Sequence, residues 1–205
     1  PDTMLEAIDF DDVIPSIVST LSWDGKVYAL PYDGDIHYYA FRKDLFANPE
    51  INDQFKAQFG YDLSPESGAN TWEEWRNIGE FFTGWDWNEI GEADYFGLAC
   101  MTKRADTLWW GFHSRCTATA KHPDDPAYFI DLETGDARLN NPGFVRALTE
   151  WVEENQNWAP PGATNFTYSD SQDAMTGGRV PQTYNWDAVT AASQAETSVI
   201  QGLQG

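Results

Sequence analysis

The chain has 205 residues, 41% of them hydrophobic and 15% aromatic with 10 Trp, so it buries a real core and is not a disordered polymer. Acidic residues outnumber basic ones 33 to 12, a formal net charge of −21, which repels phosphate backbones and anionic headgroups and excludes nucleic acid and the membrane surface as partners. No window approaches the roughly 18 consecutive apolar residues of a spanning helix. Cys100 and Cys116 have no CxxC pattern and no His at ligand spacing, so they are two buried thiols or one disulfide and imply neither metal nor cofactor.

In chain order, Pro1-Asp2-Thr3 begins neither a signal peptide nor a lipidation motif and reads like the interior of a domain, which predicts a fragment or a processed chain. Acidic residues at the start and Val13, Ile14, Ile17, Val18 and Leu21 at helical spacing predict a short helix over 11–21. Trp23-Asp24-Gly25-Lys26 supplies turn chemistry, with Gly25 free to take positive φ; Val27–Leu30 and Ile36–Phe41 are strand formers, broken by Asp33-Gly34. Here rings and carboxylates stand side by side. A sugar packs its C–H face on a ring and hydrogen-bonds its hydroxyls to charged acceptors, so Tyr32, Asp33 and Asp35 are candidate ligand contacts; the plainer reading of Asp33-Gly34 is a turn pair.

Lys43–Ala47 starts a helix, Asn48-Pro49 breaks it, and Asn52–Phe59 continues before the polar loop 60–68. Thr71 with Glu74 is a capping box, followed by Trp72, Trp75, Ile78, Gly79 and Phe82 on one face until Gly84, a spacing that assigns both Trp to the core. Tyr95–Met101 reads as a buried strand and Asp106–Ala118 as a helix. Its neighbours Trp109 and Trp110 diverge by about 100°, so at most one faces a cleft. Pro142 at N1 behind Asn141 opens a helix to about Asn157, with Phe144, Leu148, Trp151 and Val152 inward. Ser169–Met175 is helical, Val180–Tyr184 a strand and Asp187–Gln194 a last helix. His37 and His113 read as structural histidines, and Asn165-Phe166-Thr167 as a chance match to a glycosylation acceptor.

Strands that alternate with helices define an α/β fold, a small mixed sheet flanked by helices. Ligands of such sheets sit beyond the carboxyl ends of strands, which points to three loops: Asp33 and Asp35, Lys103 to Asp106, and Asn185-Trp186.

Four motifs then carry a resemblance. Pro31-Tyr32-Asp33-Gly34-Asp35, Arg42-Lys43-Asp44-Leu45-Phe46, Thr71-Trp72-Glu73-Glu74-Trp75, and Gly177-Gly178-Arg179-Val180 before Asn185-Trp186 resemble, in order and spacing, the extracellular solute-binding proteins of carbohydrate ABC importers, the maltose-binding-protein-like group. The resemblance runs from about residue 10 to the end. It implies one lobe of a two-lobed periplasmic-binding-protein-like fold: residues 1–41 as the edge of lobe one and the first hinge strand, and residues 42–205 as most of lobe two. It further implies a periplasmic or surface-tethered monomer that closes on a sugar or polyol and delivers it to the membrane subunits of a permease, without chemistry and without a cofactor. By this resemblance Asp35 is the hinge-strand carboxylate, where the family has Glu, with Asp33 on the same strand parity. Asn185 and Trp186 fall on the aromatic platform segment, and Asp106-Thr107 to Trp110 on the helix start in the cleft, with Arg104 just ahead. Thr107 stands where the family has an aromatic residue, and Trp109 and Trp110 are shifted along. Trp186 and one of Trp109 and Trp110 are thus expected to stack on the ligand.

A glycoside hydrolase using Asp33 and Asp35 as its carboxylate pair is the alternative. Two same-face positions on one strand stand about 7 Å apart and on one side of a sugar, whereas a hydrolase flanks the scissile bond. A carbohydrate-binding module without transport predicts an all-β sandwich, which the long helices disfavour.

Overall fold

The computed structural model describes residues 2–87, 95–104 and 107–205. It divides into two compact units, 1–36 and 37–205.

In the first unit, helices α1 (Asp2–Ala7) and α2 (Pro15–Leu21) precede a hairpin of β1 (Ser22–Trp23) and β2 (Lys26–Val27). The expected turn forms: Asp24 and Gly25 both take positive φ, 49° and 71°, the pairing that matches the twist of a two-residue hairpin. The expected helix over 11–21 is shorter, because Phe10–Asp12 winds as a 3₁₀ turn and Val13 is extended before Pro15 opens α2. The expected strand Val27–Leu30 ends at Val27, and residues 28–36 belong to no strand. The parity argument for Asp33 and Asp35 therefore does not apply, since without a ladder nothing enforces two-residue alternation.

The second unit is built on a three-stranded sheet in the order β3-β5-β4. β3 (His37–Phe41) runs antiparallel to β5 (Gln182–Trp186), and β4 (Ala99–Cys100) runs parallel to it, so the sheet is mixed. The break between units falls after Ile36, which leaves all of β3 in the sheet of the second. The ladder pairs His37 with Trp186, Tyr39 with Tyr184 and Phe41 with Gln182. Alternation places these six on one face, and Ala40 and Thr183 on the other.

Each face is covered by helices. Behind Ala40 and Ala99 pack Ala174 and Met175 of α8 (Tyr168–Thr176) and Val189 of α9 (Ala188–Ser193). The aromatic face meets Trp75 of α5 (Trp72–Phe82) and Trp151 of α7 (Pro142–Asn157), with Phe112 of α6 (Leu108–Ala120) alongside. A third cluster joins Phe41 and Phe46 of α3 (Lys43–Phe46) to Phe55 of α4 (Pro49–Phe59), Ile78 and Phe82.

The caps follow from the sequence. The Thr71 hydroxyl accepts from the Glu74 amide and Asn141 Oδ1 from the Phe144 amide, each satisfying an orphan donor of a first turn. The Glu74 carboxylate reaches the amide of Asn70 instead of that of Thr71. Asn48-Pro49, expected as a break, instead starts α4: Asn48 Oδ1 caps the amides of Glu50 and Ile51 while Pro49 occupies N1, where its missing N–H costs nothing.

On α7 the buried face is Phe144, Ala147, Trp151, Glu154 and Asn155, whereas Leu148 and Val152, expected inward, are exposed. The spacing is helical as predicted, but the stripe is rotated because a carboxylate and an amide are buried in it. Cys100 and Cys116 are free and buried, and desolvation raises both thiol pKa values, that of Cys116 to about 11. No helix of the described residues is long and apolar enough to cross a membrane.

Candidate functional site

The antiparallel pairing puts the N-terminus of β3 and the C-terminus of β5 at one end of the sheet, so His37 and Trp186 stand together there. Their ring centroids are 5.7 Å apart. From this pair a band of rings extends both ways. His37 meets the edge of Tyr184 at 5.2 Å, Tyr184 meets Trp72 at 5.6 Å, and on the other side Trp186 meets Tyr168 at 5.6 Å. Edge-to-face contacts of this kind match the positive ring edge to the negative face and hold the band rigid.

Tyr184 is also a wall of a cavity of about 400 Å³, lined with Tyr39, Asn70, Thr71, Trp72 and Trp75. An aromatic-walled concavity with a few polar groups is the usual form of a small-molecule site. Trp75 is buried as expected, but Trp72, assigned to the core by its spacing, is only half-buried and lines this cavity. The Trp72 ring is backed by Arg115, whose guanidinium lies 4.8 Å from the ring centroid. Arg115 bonds Glu154 and Glu150 of α7, and Glu154 also accepts from Trp75 Nε1, so one charged cluster fixes both indoles. A larger concavity, about 600 Å³, lies in the first unit against Met4, Leu5 and residues 25–30, and includes none of the expected site residues.

The register of α6 separates the two Trp residues. Trp109 shares a helical face with His113, and its ring packs on His113 and Phe129. Trp110 shares a face with Ser114, whose Oγ lies 2.7 Å from Nδ1 of His37. Trp110 is therefore the one on the side of the band, and it is 52% exposed.

The remaining expected residues divide. Asn185 is 1% exposed: its Nδ2 donates to the Tyr168 carbonyl and to Ser171 Oγ, and its Oδ1 accepts from the Trp186 amide. These bonds engage the amide inside the chain and tie it to the backbone of Trp186 and Tyr168. Arg104 is exposed in the turn ahead of α6. Asp106 lies outside the described residues. Tyr32, Asp33 and Asp35 belong to the first unit and are exposed, Tyr32 fully, and Asp33 Oδ1 accepts from the Gly34 amide. Sequence reasoning did not single out Trp72, Tyr184 or His37 for this ring band. The period-2 alternation His37, Tyr39 against Tyr184, Trp186 was the signal available, once the two strands are paired.

Three solved structures superimpose on nearly the whole chain. The ribitol-bound ABC transporter solute-binding protein of Agrobacterium radiobacter K84 gives a TM-score of 0.72 at 20% identity, covering 99% of this chain and 45% of that one. Maltose-bound MalE3 of T. maritima gives 0.71 at 20% identity, covering 98% and 45%. The D-mannitol-bound ABC transporter solute-binding protein of Agrobacterium vitis S4 gives 0.70 at 18% identity, covering 96% and 42%. The chain thus has the fold of one lobe of the two-lobed solute-binding proteins of sugar and polyol ABC transporters. Among curated proteins it is similar to the mannitol-binding protein of Pseudomonas aeruginosa, 23% identical over 169 residues, which take in 82% of this chain and 33% of that protein. The chain spans about a third of that relative and less than half of the solved structures. No protein-family model matches it.

Proposed function

We propose that the chain is the sugar- or polyol-binding part of an ABC-importer solute-binding protein, and that it binds without making or breaking bonds. In this reading residues 42–205 form most of lobe two, and residues 1–41 carry the edge of lobe one and the first hinge strand. The protein works outside the cytoplasm and delivers its solute to permease subunits in the membrane. The observation that carries the reading is the rigid band Trp72–Tyr184–His37–Trp186–Tyr168 at one end of a sheet whose fold is that of proteins solved with ribitol, D-mannitol and maltose.

A neutral polyhydroxylated ligand lays its C–H face on Trp186 or Trp110 while its hydroxyls bond polar groups at the rim. Arg104 supplies such a group from the turn before α6, and Asp106 is a further candidate from its place in the sequence. Tyr32, Asp33 and Asp35 are candidate contacts in the first unit, where carboxylates are the strongest acceptors for hydroxyls. The acidic surface, at −21, disfavours anionic solutes over neutral ones. Thermal-shift assays of the full-length two-lobed protein with ribitol, D-mannitol, maltose, amino acids and inorganic cations test the reading, since half a cleft lacks the contacts of the facing lobe. A ligand that binds the folded state raises Tm, by the mass action of binding. Stabilisation by one of the three sugars or polyols is expected, and stabilisation by amino acids or cations alone contradicts it.

A further inference from the structure

We infer that His37 contacts the ligand directly, its Nε2 accepting a hydrogen bond from a solute hydroxyl, and that Ser114 holds the imidazole in the tautomer that leaves this nitrogen unprotonated. The inference rests on the sugar or polyol reading above.

Hydrogen counting carries it. Ser114 Oγ is 2.7 Å from His37 Nδ1 and 3.2 Å from the carbonyl oxygen of Trp110, one helical turn back. A hydroxyl has one proton. Both contacts are hydrogen bonds together only if the hydroxyl donates to the carbonyl, the usual back-bonding of a helical Ser, and accepts from Nδ1–H. The opposite assignment turns the proton to the ring and forgoes the bond to the carbonyl. With Nδ1 as donor, the neutral ring carries its lone pair on Nε2. Among the described residues Nε2 has no hydrogen-bond partner.

Position does the rest. The imidazole is gripped by Tyr184 at 5.2 Å and by Trp186 at 5.7 Å, so the acceptor is fixed beside the ring proposed as the stacking platform. A polyol lying on Trp186 presents hydroxyls at its rim, where a fixed acceptor selects one that points toward β3. Among the described residues, the titratable group acting on His37 is His113 from α6; Tyr184 of β5 meets its ring, and the Tyr184 hydroxyl bonds Ser114, which accepts from it as it does from Nδ1–H. Burial lowers the His37 pKa and His113 lowers it further, so the ring is neutral at neutral pH. Protonation makes Nε2 a donor and ends its use as an acceptor.

Long-range proton–nitrogen spectra of the protein at about pH 7.5 read the tautomer directly, and Nδ1–H is expected. Calorimetric titration with D-mannitol then separates the roles. His37→Leu is expected to weaken binding about tenfold or more, and wild-type affinity to fall as the pH is lowered from about 7.5 until His37 protonates, below its ordinary range. His37→Gln, whose amide oxygen replaces the acceptor without titrating, is expected to restore affinity to within about threefold and to abolish that pH dependence. An Nε2–H tautomer in the wild type, or wild-type binding unchanged in His37→Leu, overturns the inference and leaves the proposed function standing. Failure of the wild type to bind D-mannitol, ribitol or maltose overturns the proposed function and this inference with it.

Discussion

Arg115 lies 4.8 Å over the ring of Trp72 with no exposure to solvent, and the carboxylates that neutralise it both come from α7. Glu154 meets it twice, at 2.6 and 2.8 Å, and Glu150 once, at 2.8 Å. The cavity wall is thereby tied to a helix on which it does not sit. A buried ion pair adds little over an apolar pair of the same shape, but removing Glu154 leaves the buried Arg115 with Glu150 alone, and removing Arg115 leaves Glu154 with Arg76 alone, each charge under-compensated.

Glu154→Leu is therefore expected to cost about 3 kcal/mol of stability in urea unfolding. The double variant Arg115→Met with Glu154→Leu is expected to cost clearly less than the two single changes summed, since it removes the stranded charge. Additive losses would show that the cluster is not coupled as its geometry implies.

Gly97 is required by close approach, not by a turn. A Cβ built there lies 1.7 Å from the carbonyl oxygen of Gly79 in α5, backbone against backbone, with no flexible side chain to yield. Gly97→Ala is expected to destabilise by about 3 kcal/mol or more and to lower Tm, whereas Gly135→Ala, which meets no atom within 4 Å, carries only the strain of its positive φ, a smaller loss. Comparable losses would contradict this packing.

The capping box of α8 predicts a pH dependence. Thr167 bonds the Asp170 carboxylate through its hydroxyl and its amide, and these bonds hold the carboxyl below its ordinary value of 3.8. A depressed carboxyl contributes stability that is present above the unfolded value and is lost as pH falls through the folded one. Thr167→Ala is expected to cost about 1 kcal/mol at neutral pH, shrinking below about pH 4 as Asp170 protonates in the wild type as well. A cost independent of pH would mean that the carboxylate adds nothing to the cap.

Much of the fold was legible because its signals are local. Asn141 before Pro142 and Asp24-Gly25 in a hairpin satisfy or shape their own backbone and form as expected, and Thr71 caps α5 although Glu74 completes the box on the Asn70 amide. What failed depends on partners distant in sequence. Val27–Leu30 has strand formers, but the ladder ends at Val27. Leu148 and Val152 were read inward by hydropathy, yet α7 turns Glu154 in, because Arg115 of α6 waits for it. The same distance hid the ring band. Trp72 keeps core spacing with Trp75 but faces a cavity, and Trp186 was visible at a strand exit while His37, its cross-strand partner, read as structural.

In the proposed function a sugar or polyol lies on the ring band at the sheet end. Calorimetric titration of the wild type and of Trp186→Ala with ribitol, D-mannitol and maltose tests it most directly. The full-length protein is expected to bind at least one of the three, and its Trp186→Ala variant to bind it about tenfold or more weakly, with the fold retained by circular dichroism. Equal affinity in the two proteins would contradict it.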